Sequence, residues 1–275
     1  MRGRGASTAG ALLAAFVAVL VAALVVGVLS PAPASAWPAA PADRDISPGD
    51  QMVTAGRSCS AGFVFARGRH RYVSYPASCA LARGSEPVAS CRARALPRGT
   101  RVTFVDRGRV LGVGRLAWTS VRALARAGVH DHRSCAARDF ALVRIVGASR
   151  ARLSTDPPFW GGPSRRGPLP APGARLFAYG KDAAHQRPYP SSRYVLHRHG
   201  GRVVLSGGPG TVPALRGAGL VDAQGRAVAM VAQVRRDGRP VAIGLAGAAA
   251  WARDHGARGL RLLPGSQPFA AFVVL

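Results

Sequence analysis

From Gly62 onward the apolar residues of this chain come in short runs broken by glycine and proline. GFVFA (62–66), HRYVSY (70–75), RVTFV (101–105), RVLGVG (109–114), FALVRIV (140–146), RLFAYG (175–180), SRYVLH (192–197), GRVVLS (201–206), AVAMVAQV (227–234) and PVAIGL (240–245) are rich in β-branched and aromatic residues. Each is too short for a helix of ordinary length and suits a strand. Many short strands separated by turns specify an all-β sandwich or barrel. About as many of these runs precede the Pro- and Gly-dense stretch DPPFWGGPSRRGPLPAPG (156–173) as follow it, so two β halves are expected, over 51–158 and 159–275. LAGAAAWARDHG (245–256) is the clear helical pattern, made of good helix formers and stopped at Gly256. RALARAG (122–128) reads equally as a short helix or a decorated loop.

The first 36 residues follow a different grammar. Arg2 and Arg4 precede the apolar run 10–29, and Ala34-Ser35-Ala36 supplies small residues for cleavage. This is the pattern of a secretory signal peptide, with the mature chain expected to start at Trp37. The run is long enough to span a bilayer, so the alternative is an uncleaved membrane anchor. WPAAPADRDISPGD (37–50) reads as a Pro-rich linker.

Cys59, Cys79, Cys91 and Cys135 all follow that leader. An even count in an exported chain points to disulfides. No C-x-x-C pair occurs among them, which argues against zinc. His130/His132 and His197/His199 each put two rings on one strand face, but no third ligand is evident. Neither a metal nor a cofactor is expected.

The formal charge is +26, and dropping Arg2 and Arg4 leaves +24. Lys181 is the sole lysine; the other cations are arginines scattered along the chain, with no dense basic block and no interleaved aromatic ladder. The scatter argues against specific nucleic-acid recognition. Non-specific adhesion to anionic polymers at low salt is expected.

Several motifs, in their order, resemble those of secreted bacterial trypsin-like serine proteases. CSAGFVF at Cys59 is similar to a strand opening of the first barrel in that family. YPASC (75–79) stands where the family has T-A-A-H-C, RDFALVRI at Arg138 resembles the strand carrying the catalytic aspartate, and FWGGP with RLFAYGKD resembles the crossing into the second barrel. GGPGTVPALRGAGLVDAQGRAVAMV stands in place of G-D-S-G-S-P and the strand after it. The resemblance covers roughly residues 48–275. It implies two antiparallel six-stranded β-barrels of the chymotrypsin type with a short C-terminal helix.

Carried over residue by residue, the resemblance assigns Asp139 to the triad aspartate and Ser78 to the histidine position. Three registers compete for the serine position. Matching Pro213-Ala214-Leu215 to S-P-A-L gives Gly210, the preferred assignment. Matching Ser206-Gly207-Gly208-Pro209 to S-G-G-P gives Ser206, though Leu205 then replaces the preceding aspartate. A register without insertion gives Arg216. The backbone of Gly208 and Gly210 is the expected remnant of an oxyanion pocket. The resemblance also implies the bridges Cys59–Cys79 and Cys91–Cys135.

Serine has no group that titrates near neutral pH, so Ser78 cannot take a proton from a nucleophile. The sequence therefore points to a protease homologue that acts by binding a peptide, a protease, an inhibitor or an envelope polymer. An active endopeptidase using Ser206 and a basic surface-adhesion protein are the alternatives. Location follows the leader: extracellular if it is cleaved, membrane-anchored through 10–29 if it is not.

Overall fold

The computed structural model describes residues 45–158, 160–181, 188–207 and 215–270. The signal segment, and Gly208 and Gly210, lie outside them.

Seven strands build the first half: β1 (Gln51–Thr54), β2 (Arg57–Ser60), β3 (Val64–Arg67), β4 (His70–Tyr75), β5 (Arg101–Asp106), β6 (Arg109–Thr119) and β7 (Ala141–Ile145). They pair in the order β3-β4-β7-β6-β5-β1-β2, all antiparallel. β2 runs into β3 through Ala61, Gly62 and Phe63, and hydrogen bonds between Phe63, Gly62 and Ser74 carry the pairing across the bend. The two ends of the sheet are thus joined by the chain itself, and the sheet closes on itself. Alternation explains the inside of this barrel. Val102 and Phe104 of β5 and Leu111 and Leu116 of β6 point into the core, with Met52, Tyr75, Val143 and Ile145 beside them.

The second half contains β8 (Arg165–Arg166), β9 (Arg175–Lys181), β10 (Pro188–His199), β11 (Arg202–Leu205), β12 (Gly219–Asp222), β13 (Arg226–Val234) and β14 (Pro240–Gly244). β12 pairs with both β9 and β13, which closes the ring β12-β9-β10-β11-β14-β13. Leu176, Val203, Leu205, Leu220, Val231 and Ala242 fill it. β8 adds a short parallel edge to β13.

Strands that are buried along most of their length mark where the halves meet. Phe63, Phe65, Phe140 and Leu142 pack in one cluster with Val221, Met230 and Ile243. That contact explains why β7 and β13 read as nearly continuous apolar runs rather than alternating ones.

Among the described residues three α-helices complete the fold: α1 (Ser120–Arg126), α2 (His132–Ala136) and α3 (Leu245–Asp254). The run 122–128, legible either way, begins as helix because the Thr119 hydroxyl caps it by accepting from the Arg122 amide. α2 is capped by Asp131, whose carboxylate accepts from the Ser134 amide at 2.9 Å. α3 buries Leu245, Ala248, Ala249 and Ala252, one face of its turn, against the shared cluster. After α3 the chain returns to the first barrel, where β15 (Arg261–Leu262) pairs with β3.

Both expected disulfides are formed, Cys59–Cys79 and Cys91–Cys135. The stretch read as a linker is partly packed: Ile46 is buried and bridges Leu153, and Asp50 is fully buried. No helix among the described residues is long and apolar enough to cross a membrane.

Candidate functional site

Ser78 sits in a tight turn, Ala77–Ala80, directly after β4. Pro76 precedes the turn in extended conformation, and every residue of the turn is buried. The Cys59–Cys79 bridge ties it to β2. The Ser78 backbone N–H points at Asp139 and donates to its Oδ1 at 2.7 Å.

Asp139 stands just ahead of β7. Its place is set from both sides. Upstream, Arg138 donates to the Ser134 carbonyl at 2.9 Å, and the Cys91–Cys135 bridge anchors α2. Downstream, Phe140 exchanges hydrogen bonds with Ser120. The carboxylate is 7% exposed. Burial pushes its pKa up, while Ser78 and the Arg216 charge pull the other way. The Ser78 hydroxyl lies beside the carboxylate without reaching hydrogen-bond geometry to it.

Arg216 brings the second barrel to the same place. The Ser60 amide, next to Cys59, donates to its carbonyl at 2.7 Å. Gly217 follows at φ +99°, and a Cβ there would fall on the Ser60 carbonyl oxygen, so the close approach requires glycine. Burial draws the Arg216 guanidinium below its ordinary pKa, Asp139 opposes that shift, and Arg57 adds to it.

Ser78, Asp139 and Arg216 line one cleft of about 270 Å³ between the barrels, together with Arg57, Arg202 and Gln233. Among the described residues no histidine lines it. Ser206 is not among the lining residues; its Oγ accepts from the Tyr194 amide at 3.0 Å, at the end of β11. His130, His132, His197 and His199 are solvent-exposed. Among the described residues no group of three or more His, Cys, Asp or Glu is gathered for a metal ion.

Chemically, the cleft has a buried carboxylate, a hydroxyl and guanidinium groups. A carboxylate in such a place can orient a base, but among the described lining residues there is no imidazole to be oriented.

No protein-family model and no curated protein matches the chain. Solved structures do. A Glu endopeptidase, determined in complex with MPD, superposes with a TM-score of 0.53 at 12% identity, covering 79% of this chain and 94% of that one. The fold is that of the chymotrypsin-like serine proteases. Protease A of Thermobifida fusca is also similar, at a TM-score of 0.49 and 15% identity over 80% of this chain and all of that one. So is a glutamic acid specific serine protease that uses a histidine triad in substrate binding, at 0.49 and 15% over 79% of this chain and all of that one.

Sequence reasoning did not find Arg57 and Arg202 as cleft residues. Nor did it find a buried ionic cluster in which the Lys181 ammonium meets Asp50 Oδ1 at 2.5 Å and Asp106 Oδ1 at 2.9 Å. The uniqueness of Lys181 in an arginine-rich chain is the one sequence signal that could have drawn attention to it.

Proposed function

We propose that this protein is an exported homologue of trypsin-like serine proteases that has lost catalysis and works by binding in the cleft between its barrels. The observation that carries the reading is the environment of Asp139. The carboxylate meets the backbone amide of Ser78, whose side chain has no proton-accepting group at neutral pH, and among the described residues no imidazole lines the cleft beside it. A hydroxyl nucleophile needs such a base, and loss of a triad member costs several powers of ten in rate.

For the serine position, shared lining of the cleft favours the register that assigns Arg216. Gly210 keeps its standing from the sequence alone. Ser206 is disfavoured because it is absent from the lining of the Asp139 cleft. Two disulfides suit an oxidising compartment and agree with export.

A serine-directed phosphonate probe tests the reading. The unmodified protein is expected to stay unlabelled. The double variant Ser78→His with Arg216→Ser should gain labelling, and the parallel pair Ser78→His with Gly210→Ser tests the other register. Single changes should gain little, because triad members act as a unit. Labelling of the unmodified protein would refute the reading, and loss of that label in Ser206→Ala would identify the nucleophile.

A further inference from the structure

Three residues of this cleft's lining each carry a buried side-chain polar atom without a hydrogen-bond partner among the described residues: Ser78 Oγ, Arg202 Nε and Arg216 Nε. Buried polar groups are nearly always paired, so three residues of one cavity's lining that each hold an unpaired atom mark a place suited to a ligand. All three can donate. Ser78 is 9% exposed and sits in a turn held rigid by a disulfide. Arg57 adds a third positive charge, and among the described residues Asp139 is the sole acid in the lining. The cleft therefore carries a surplus of two positive charges. Leu81, Pro87, Val88, Ala232 and Val241 add an apolar wall, beside the polar side chains of Ser85 and Gln233.

We infer that this cleft captures a peptide by a carboxylate group, with Arg202, Arg216 and the Ser78 hydroxyl as donors and the apolar wall as the seat for neighbouring side chains. A carboxylate presents two acceptor oxygens and about four lone-pair sites, enough for three converging donors. A single negative charge suits a cleft that already holds Asp139 better than a dianion does. The apolar wall distinguishes a peptide from a bare inorganic anion, which has nothing to bury there. Cleft volume and wall together fit a short segment, one to a few residues long. The inference rests on the binding reading above, since it assigns Arg216 and Ser78 to a ligand instead of to a reaction.

The carboxylate belongs either to a chain terminus or to an acidic side chain, and calorimetric titration of the purified, disulfide-bonded protein separates these sources. Three probes are used at about 150 mM salt, where diffuse surface electrostatics are screened. They are N-acetyl-trialanine with a free carboxylate, its C-terminal amide, and N-acetyl-Ala-Glu-Ala amide. One carboxylate peptide should bind at least about tenfold tighter than trialanine amide, the scale of a charge-assisted hydrogen bond. Preference for the first assigns a chain terminus, and preference for the third an acidic side chain. Arg216→Ala should reduce that peptide to the affinity of the amide. Arg115→Ala, which removes an equal charge outside the cleft lining, should leave it unchanged. Equal binding of all three peptides, no binding of any, or sulfate binding as tightly as the best peptide would each overturn the inference. The wild-type comparison does not depend on any variant folding. Mass spectrometry of the titrated peptides reports separately on catalysis. A cleaved peptide would refute the catalytically silent reading, and an intact one without carboxylate preference would refute the carboxylate site alone.

Discussion

The Asp50 side chain has no exposed surface, and its carboxylate meets the Lys181 ammonium at 2.5 Å. Burial pushes its pKa from 3.8 up to about 6, against the pull of Lys181. Because the folded value lies above the unfolded one, the native state binds the proton more tightly. Stability contributed by this group is therefore gained as pH falls through about 6 and lost as pH rises. Relative to Asp50→Asn, the wild type should gain about 1 kcal/mol between pH 7 and pH 5, measured by urea denaturation at each pH. A wild type that instead loses stability relative to the variant over that range would contradict the assignment. Lys181→Met leaves two carboxylates without their cation and should destabilise by about 3 kcal/mol, the scale of a broken buried pair. Gly217→Ala should cost more than an ordinary surface substitution, because its φ is left-handed and the Ser60 carbonyl occupies the space. The same change should shift Arg216 within the cleft.

Elements differ in how visibly the sequence announces them. β4 begins and ends where the run HRYVSY does, and β5, β11 and β13 carry enough β-branched residues to stand out between turns. β1, β2 and β12 did not stand out. Each has four residues, and Gln51, Thr54 and Ser58 dilute the apolar signal. β15 has two residues and exists because β3 offers it a partner, which only the tertiary fold supplies. The candidate site divides in the same way. Ser78 was legible because Cys79 anchors it, and Asp139 because a strong strand follows it. The serine position was not, because its register depends on the length of the intervening loop, and spacing alone leaves that length open. Arg57 and Arg202 reach the cleft from separate strands, a convergence with no local signature. The Cys91–Cys135 bridge belongs to this scale, since it ties α2 to the turn Val88–Ser90 ahead of Asp139. Replacing both cysteines by serine should lower stability by about 2–4 kcal/mol, as removal of a cross-link over a long loop does. The denaturation midpoint should fall, and cleft binding should weaken with it because the run holding Asp139 loosens.

At the scale of the whole chain, export is an expected outcome: N-terminal sequencing of the native product should begin at Trp37, and a membrane-bound product retaining Arg2 would indicate an anchor instead. The strong positive charge makes adhesion to anionic surfaces salt-dependent, and raising ionic strength should release it without affecting the disulfides. The path of the chain between the barrels has a further effect. The crossing begins at Asp156, whose buried carboxylate accepts hydrogen bonds from the Ser266 amide and hydroxyl, 110 residues downstream. From there the chain builds the second barrel, and β15 then comes back to lie against β3 of the first. The last segment therefore works as a hasp across the joint it has just made. A protease that cuts the exposed turn at Ala171–Gly173 would sever the backbone without freeing either half. The nicked molecule should elute as one particle and come apart only in denaturant, so that damage at this exposed seam leaves the cleft intact.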